Sequence, residues 1–453
     1  MYALLVTLYL LFVFMIIKHK GEKRLLYFIL GLFMVPGNIN LIYNSMFMGY
    51  MLYASSFILS MIAHKELTTK NIANCPLRTQ LIIVFISCLL IGLFDERVGP
   101  ATGVWRGLQY FLKTFGLFIL GWISLRKEDL FNKRGDFIIK DSYVFSRILP
   151  FTLIITMFGL FTAMTRSNPI LDAVGLEDRF LFEYDESYRS FRVTGANISS
   201  SVYGLSCALI FLSSMFLTGK KSKIAYIALG FLFINVFLSA TRAAMIPFII
   251  ALVFFLLRRK GVAKGGMYIF IAIASFFILT PLLPNSVTNF SSQVVESIAD
   301  VALPSGTGGK KFVGSSVDAR EMQIAASMSY LAEKPFFGHG YSYANEVILQ
   351  GEKHSELLGM ESYLCFIGIE YGLVYAVAII IFFVSCLVYF VRNKKYDPDY
   401  ADMGAVMVCM YILFLIYAWV GNAWFFFMPI LGYIAKRVSL TRETALNKAQ
   451  IHR

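Results

Sequence analysis

The chain has 453 residues, 58% of them hydrophobic and 15% charged, with a mean hydropathy of +0.67. Soluble globular domains carry roughly 45–50% apolar and about 25% charged residues, so a water-soluble enzyme is excluded. The net charge of +13, from 41 basic and 28 acidic residues, does not point to nucleic acid, because no basic run is interleaved with aromatics in a polar segment.

Apolar blocks fall near 3–17, 25–42, 44–63, 79–95, 105–125, 143–165, 198–218, 224–240, 242–257, 265–283, 361–391, 403–420 and 422–436. At roughly 20 residues per crossing they predict an all-α polytopic membrane protein of about 12–13 transmembrane helices, a single integral membrane domain over 1–453. Pro36 and Gly37 interrupt the second block and the pair around Arg242 is short, so a re-entrant hairpin fits the pattern as well. Met1 leads straight into an apolar block ending at Lys18 with no basic start or small-residue cleavage site, which predicts an uncleaved first helix. Cys88, Cys207, Cys365, Cys386 and Cys409 lie in apolar stretches and Cys75 in a basic loop, so no disulfide framework is expected. No short-period repeat is visible.

Lysine and arginine set the orientation. One alternating set of loops carries Lys18 to Arg24, Lys65 to Arg78, Arg126 to Lys140, Lys220 to Lys223, Arg258 to Lys264, Arg392 to Lys395 and the tail 436–453; these are predicted to be cytoplasmic. The opposite set is poorer in basic residues and holds the only two long loops, 166–197 and 285–360, which therefore face outward. Function is expected there. The first loop is acidic and aromatic, with Glu183, Tyr184, Asp185, Glu186 and Tyr188 leading into Arg189 and Arg192. The second runs from a Gly/Ser-rich start (Ser305–Ser316) through an amphipathic stretch from Asp318 to Ala332 to the turn Pro335-Phe-Phe-Gly338-His339-Gly340. In that stretch Ile324, Ala325, Met328 and Leu331 share one helical face, which suits either a helix lying on the membrane or one packed on the other loop.

Arg189, Arg192, Arg242 and Arg320 stand at the outward boundary. A guanidinium stays charged and binds phosphate oxygens bidentately, so arginines converging at a membrane face suit a diphosphate; interfacial snorkelling is the alternative for each. Arg242, between apolar runs in Leu238-Ser-Ala-Thr241-Arg242-Ala-Ala, is costly at that depth without a partner or ligand. Among five histidines only His339 and His354 are outward, with no metal-ligand spacing and no Asp-rich loop, so the chemistry is expected to need neither metal nor cofactor. No Walker-type phosphate loop is present. Glu361, at the mouth of the helix beyond the second loop, is placed either as a general base for an attacking hydroxyl or as a charge stabilising the helix N-terminus.

Over about residues 143–436 the sequence resembles the bacterial superfamily of O-antigen and capsule polymerases (Wzy type) and O-antigen ligases (WaaL type). The ligase-type signature has His, then Asn, Ser or Gln, nine residues, then Gly-x-x-Gly/Thr/Tyr; Ser362, Gly372 and Tyr375 fit it, with Glu361 in place of the histidine. Arg192-Val-Thr-Gly195-Ala-Asn197, Thr241-Arg242-Ala243, and Arg320 with Pro335 and Gly338-His-Gly340 are similar to further family segments. The Glu361 departure favours polymerase over ligase.

The resemblance implies a GT-C-like membrane glycosyltransferase that moves a growing glycan from undecaprenyl diphosphate to an undecaprenyl-diphosphate-linked repeat unit. It acts at the periplasmic face of the inner membrane, alongside a chain-length-regulating membrane protein. On that reading Arg189, Arg192, Arg242 and Arg320 hold the diphosphate, Glu361 or His354 is the base, and Tyr341, Tyr363 and His339 contact sugar or acceptor, with Tyr184, Tyr188 and Tyr343 as further stacking candidates. A ligase acting on lipid A core and a lipid-linked oligosaccharide transporter are the competing readings; a transporter would place its charges near the bilayer midplane.

Overall fold

The computed structural model describes residues 2–35, 48–132, 141–165, 167–173, 193–196, 199–219, 221–239, 241–279, 317–344, 346, 357, 362–417 and 423–451. The chain is an all-α polytopic membrane protein. In order the helices are α1 (Tyr2–Lys18), α2 (Gly21–Met34), α3 (Met48–Ala63), the short α4 (Thr69–Ala73), α5 (Arg78–Leu93), α6 (Pro100–Lys113), α7 (Gly116–Ile123), α8 (Lys127–Leu130), α9 (Tyr143–Thr165) and α10 (Pro169–Ala173). Then come α11 (Ser200–Leu217), α12 (Lys223–Leu238), α13 (Arg242–Leu279), α14 (Val317–Glu333), α15 (Tyr363–Asn393), α16 (Pro398–Tyr417) and α17 (Ala423–Ile451). Among the described residues α9, α11, α15 and α16 are long and apolar enough to cross a bilayer by themselves, while α1, α3, α5 and α12 are shorter apolar helices.

Exposed side chains are as hydrophobic as buried ones. Leu4, Leu10, Leu11 and Phe14 of α1, Phe151, Ile154, Met157 and Phe161 of α9, and Val377, Ile380, Val384 and Val391 of α15 all face outward. A helix apolar on every side belongs in hydrocarbon. Many polar side chains of the helices point inward and are bonded there. Thr152, Thr156, Ser206 and Thr218 donate to carbonyls one turn back. Asn235 ties three helices together, donating to the Thr156 carbonyl at 3.0 Å and accepting from the Tyr203 hydroxyl at 2.9 Å.

The block expected as one crossing over 105–125 is two helices. Thr114, with φ −114° and ψ −93°, breaks α6 from α7. α13 likewise contains a break, at Gly261 (φ +77°).

The ends of the bundle differ sharply. At one end Arg24 shares Glu66 with Arg126, Tyr433 donates to Glu22, Arg437 pairs with Asp397, and Arg258 and Lys394 share Asp402. These are the basic loops that the sequence grouped together, and the chain gathers them at one end. Because Arg258 and Arg259 of α13 pair with Asp402 and Asp399 at the start of α16, the first residue of α13, Arg242, lies toward the opposite end.

Close backbone approach at glycines sets the helix spacing. A Cβ on Gly103 (α6) would overlap the Gly92 carbonyl of α5, one on Gly121 (α7) the Pro429 carbonyl of α17, and one on Gly432 the Phe118 carbonyl. Gly230 has open space around it. Gly103→Leu is therefore expected to separate α5 from α6 and lower the melting temperature of the detergent-purified protein, at a cost of about 1–3 kcal/mol or more. Gly230→Leu is expected to leave it within error of the parent. Differential scanning fluorimetry with size-exclusion profiles tests the pair.

Candidate functional site

The site begins with an interruption in α15. Ser362 caps its first turn, the side-chain oxygen accepting from Leu364 N–H at 3.3 Å. Residues 367–371 then form a π-turn, and Gly372 (φ +69°, ψ −177°) breaks the helical path before it resumes. Such a break frees backbone groups that hydrocarbon cannot satisfy. Here the segment Pro335–Gly340 satisfies them. His339 N–H donates to Ile369 O at 3.0 Å and Gly340 N–H to Glu370 O at 3.1 Å; in return Leu373 N–H reaches Pro335 O at 2.8 Å and Val374 N–H reaches Phe336 O at 3.1 Å. Only glycine fits at Gly372, where a Cβ would come 2.6 Å from both Gly338 N and Phe336 O.

Beneath this junction lies a knot of tyrosines. The hydroxyl of Tyr375 donates to Tyr110 of α6 at 3.2 Å and lies 3.0 Å from that of Tyr363, and the Tyr110 and Tyr363 hydroxyls bond to each other. Tyr371 packs against all three rings and Tyr341 against two of the four, its own hydroxyl donating to Cys88 O at 2.8 Å. The described residues of the family-like signature thus each have a structural reason: Ser362 caps, Gly372 admits the 335–340 segment, and Tyr375 closes the hydroxyl triangle.

Above it two arginines converge. Arg97, in the α5–α6 loop, is gripped bidentately by Asp95 (3.0 and 2.9 Å), donates to Tyr341 O at 2.7 Å and pairs with Glu346 at 3.0 Å. Arg106 of α6 donates to the same carbonyl at 3.3 Å and lies 3.7 Å from Glu346. Both guanidiniums remain partly exposed. Asp95 reaches this position because Gly340 (φ +95°) leaves room for its carboxylate, which a Cβ would overlap. The buried Glu370 carboxyl accepts from Ala344 N–H at 3.0 Å and so holds the other side of the same loop. Nearby, Lys334 bonds Glu96 at 2.6 Å and holds that carboxyl below its usual pKa.

His339 is 8% exposed, stacked on Tyr343 at 4.5 Å, with Nε2 3.2 Å from Tyr330 O. Burial, reinforced by Lys334 and Arg97 and opposed by the Tyr330 carbonyl and Glu333, holds its pKa below the ordinary 6.5.

A second cluster forms where two more of the family-like stretches meet. Val193 N–H donates to Leu238 O at 3.0 Å, and Asn168 clasps Thr194 Oγ1 and Gly195 O, each at 2.9 Å. Gly195 (φ +57°) lies flat against the Tyr203 ring. Thr241 comes next, its carbonyl accepting from Ala244 and Met245 at the start of α13, which Arg242 opens. The structure therefore brings the residues flanking Arg192 and Arg242 to one place.

Of the candidates expected from sequence, Glu361, His354, Arg189, Arg192, Tyr184 and Tyr188 lie outside the described residues, and so do the side chains of Arg242 and Arg320. Tyr341 and Tyr363 are in the core with their hydroxyls committed internally. His339 is packed beside the arginine pair. The amphipathic stretch is helical (α14), but its packed face is Gln323, Ser327 and Tyr330, set against Gly368, while Met322, Ile324 and Met328 are exposed. A polar face inward and an apolar face outward is the pattern of a helix in contact with lipid. Arg97, Arg106, Glu346 and Tyr110 were not singled out from the sequence; the one available signal was an arginine on each side of a short turn between two apolar helices. Among the described residues no cluster of three His, Cys, Asp or Glu could hold a metal ion.

Residues 227–380 match the model of a family described as O-antigen ligase. The match supports the O-antigen ligase and polymerase superfamily. It runs from α12 into α15 and so contains Arg242, Arg320, the 335–346 segment and the signature from Ser362 to Tyr375, while Arg97, Arg106 and Tyr110 lie before it. No curated protein matches the chain.

The junction gives two expected outcomes. Gly372→Ala, strained by about 1–3 kcal/mol at positive φ with extended ψ and crowded by Gly338 as well, is expected to lower the melting temperature more than Tyr375→Phe, which deletes one hydroxyl and costs about 0.5–1.5 kcal/mol. For His339 the folded state resists protonation, so below pH 6.5 the unfolded chain binds protons more readily; its contribution is fully present above that value and is lost as pH falls. His339→Gln is expected to flatten the fall in melting temperature between pH 7 and pH 5 relative to the parent.

Proposed function

We propose that the chain is a glycosyltransferase that polymerises a lipid-linked polysaccharide at the periplasmic face of the bacterial inner membrane. The acceptor hydroxyl of an undecaprenyl-diphosphate-linked repeat unit attacks the anomeric carbon of the growing glycan. The bond from that carbon to undecaprenyl diphosphate breaks, the hydroxyl proton passes to Glu361 or His354, and the diphosphate leaves as an anion. Arg192, Arg242 and Arg320, with Arg189, neutralise it, and Arg97 and Arg106 extend the cationic surface on the α6 side. Electrostatic stabilisation of a leaving group and general-base removal of one proton are the two contributions the residues offer.

The observation that carries this reading is the coincidence of the family match with the junction at α15. The matched segment contains the signature, and the segment Pro335–Gly340 docks it beside two arginines that come from outside the match. The gathering of the basic loops at the other end supports the periplasmic placement of this one by the positive-inside rule. The description of the matched family favours the second reading, a ligase that moves the finished glycan onto lipid A core. Glu361 in the signature's histidine position favours the polymerase.

A strain lacking the gene, complemented with the parent chain or with Arg242→Ala, Arg320→Ala, Arg97→Ala, Glu361→Gln or His354→Gln, tests the assignment on surface-glycan gels. Arg242→Ala and Arg320→Ala are expected to cut turnover about 10²–10³-fold and to collapse the ladder to a single repeat. Loss of all glycan from the lipid A core, with polymer accumulating on undecaprenyl carrier, would identify the ligase. A normal ladder in every variant would remove the catalytic assignment.

A further inference from the structure

At the end of the bundle opposite the α15 junction, the turn from α1 to α2 borders a cavity of ≈ 480 Å³. Lys18, Lys20, Lys23, Arg126, His19 and His64 line it. We propose that this cavity binds a phosphate-bearing headgroup of a membrane lipid. The proposal is independent of the catalytic reading above.

The charge arithmetic of the wall is one-sided. Four cations face two carboxylates, Glu22 and Asp129, which leaves an excess of positive charge; Glu22 accepts the Tyr433 hydroxyl at 2.5 Å and Asp129 accepts the backbone N–H of Arg126 at 3.1 Å. Arg126 does pair with Glu66, but that single carboxylate also serves the buried Arg24 at 2.5 Å. Among the described residues no carboxylate lies within ion-pair distance of Lys18, Lys20 or Lys23. The tight turn at Gly21 (φ +61°) places all three around one opening. His19 registers the resulting field: burial first, then the charges of Lys23 and Lys18, hold its pKa below 6.5. The three lysines are exposed, and cations without a carboxylate partner around one concave opening suit an anionic group.

Size and position select the anion. The volume lies within the range of about 300–1,000 Å³ typical of small-molecule sites, well beyond what one inorganic phosphate fills. Directly below Lys18, α1 exposes Phe14 and Ile17, a hydrocarbon strip along which acyl chains can lie while the headgroup enters the cavity. Basic pockets at this level of a helical bundle are where anionic lipid headgroups bind.

The test uses the full chain in zwitterionic detergent, with phosphatidylglycerol and inorganic phosphate as separate probes and phosphatidylcholine as the uncharged control. Phosphatidylglycerol is expected to raise the melting temperature saturably and to stay bound at one per chain in native mass spectrometry. Lys18→Gln/Lys20→Gln/Lys23→Gln is expected to weaken it about a hundredfold, while the control Arg392→Gln/Lys395→Gln, exposed at the same end outside the cavity wall, leaves it unchanged. If the triple variant does not fold, each single lysine variant, at about fivefold weaker binding, gives the same reading. Saturation by inorganic phosphate with the same lysine dependence would uphold the anion site and assign it to free phosphate. Equal losses in the lysine variant and the control, or no saturable binding of either probe, would overturn it.

Discussion

In hydrocarbon a backbone N–H or C=O has no water to turn to, and this one constraint organises the end of the protein that holds the candidate site. α15 cannot run straight: the π-turn at 367–371 and the left-handed Gly372 leave carbonyls and amides unmatched, and the Pro335–Gly340 segment answers each of them with a backbone bond of 2.8–3.1 Å. Because that segment is pinned, residues 341–344 directly after it are pinned as well. Tyr341 points its carbonyl at Arg97 and Arg106, and Ala344 donates to the buried Glu370. The break in the helix and the arginine pair are therefore one feature, joined through three glycines that no other residue replaces.

The bundle around this junction is assembled by close backbone approach and by shared polar atoms. Glycines bring α5 against α6 and α7 against α17, and Asn235 joins α9, α11 and α12. Among lipid tails there is little hydrophobic gain in bringing helices together, so packing and interhelical hydrogen bonds carry the association. The tyrosine triangle extends the same logic to the site. Three hydroxyls from α6 and α15 satisfy one another and fix the position of the π-turn relative to the arginine-bearing loop.

Charge is partitioned between the ends with different consequences. At the basic end most guanidiniums are matched by carboxylates shared between loops, which locks the helix connections, and the unmatched lysines of the α1–α2 turn are left to a ligand. At the other end Arg97 and Arg106 share one exposed glutamate, an arrangement that an incoming anion can displace at small cost because neither guanidinium is fully desolvated.

Composition, the run lengths of apolar residues and the alternation of lysine and arginine were enough to determine a polytopic α-helical protein and the grouping of its basic loops at one end, because each of these is a local or one-dimensional property read against the thickness of a bilayer. The signature Ser362, Gly372 and Tyr375 was legible as a spacing. Its meaning was not, since a π-turn and a positive φ arise only when another segment arrives to satisfy the broken helix. Arg97 and Arg106 stand about 240 residues from Tyr341 in the chain, and Tyr110 more than 250 from Tyr363, so nothing in their own neighbourhoods marks them. Their convergence, and the turning of the apolar face of α14 outward rather than into the bundle, depend on which helices pack side by side, and that is decided by long-range contacts no local pattern encodes.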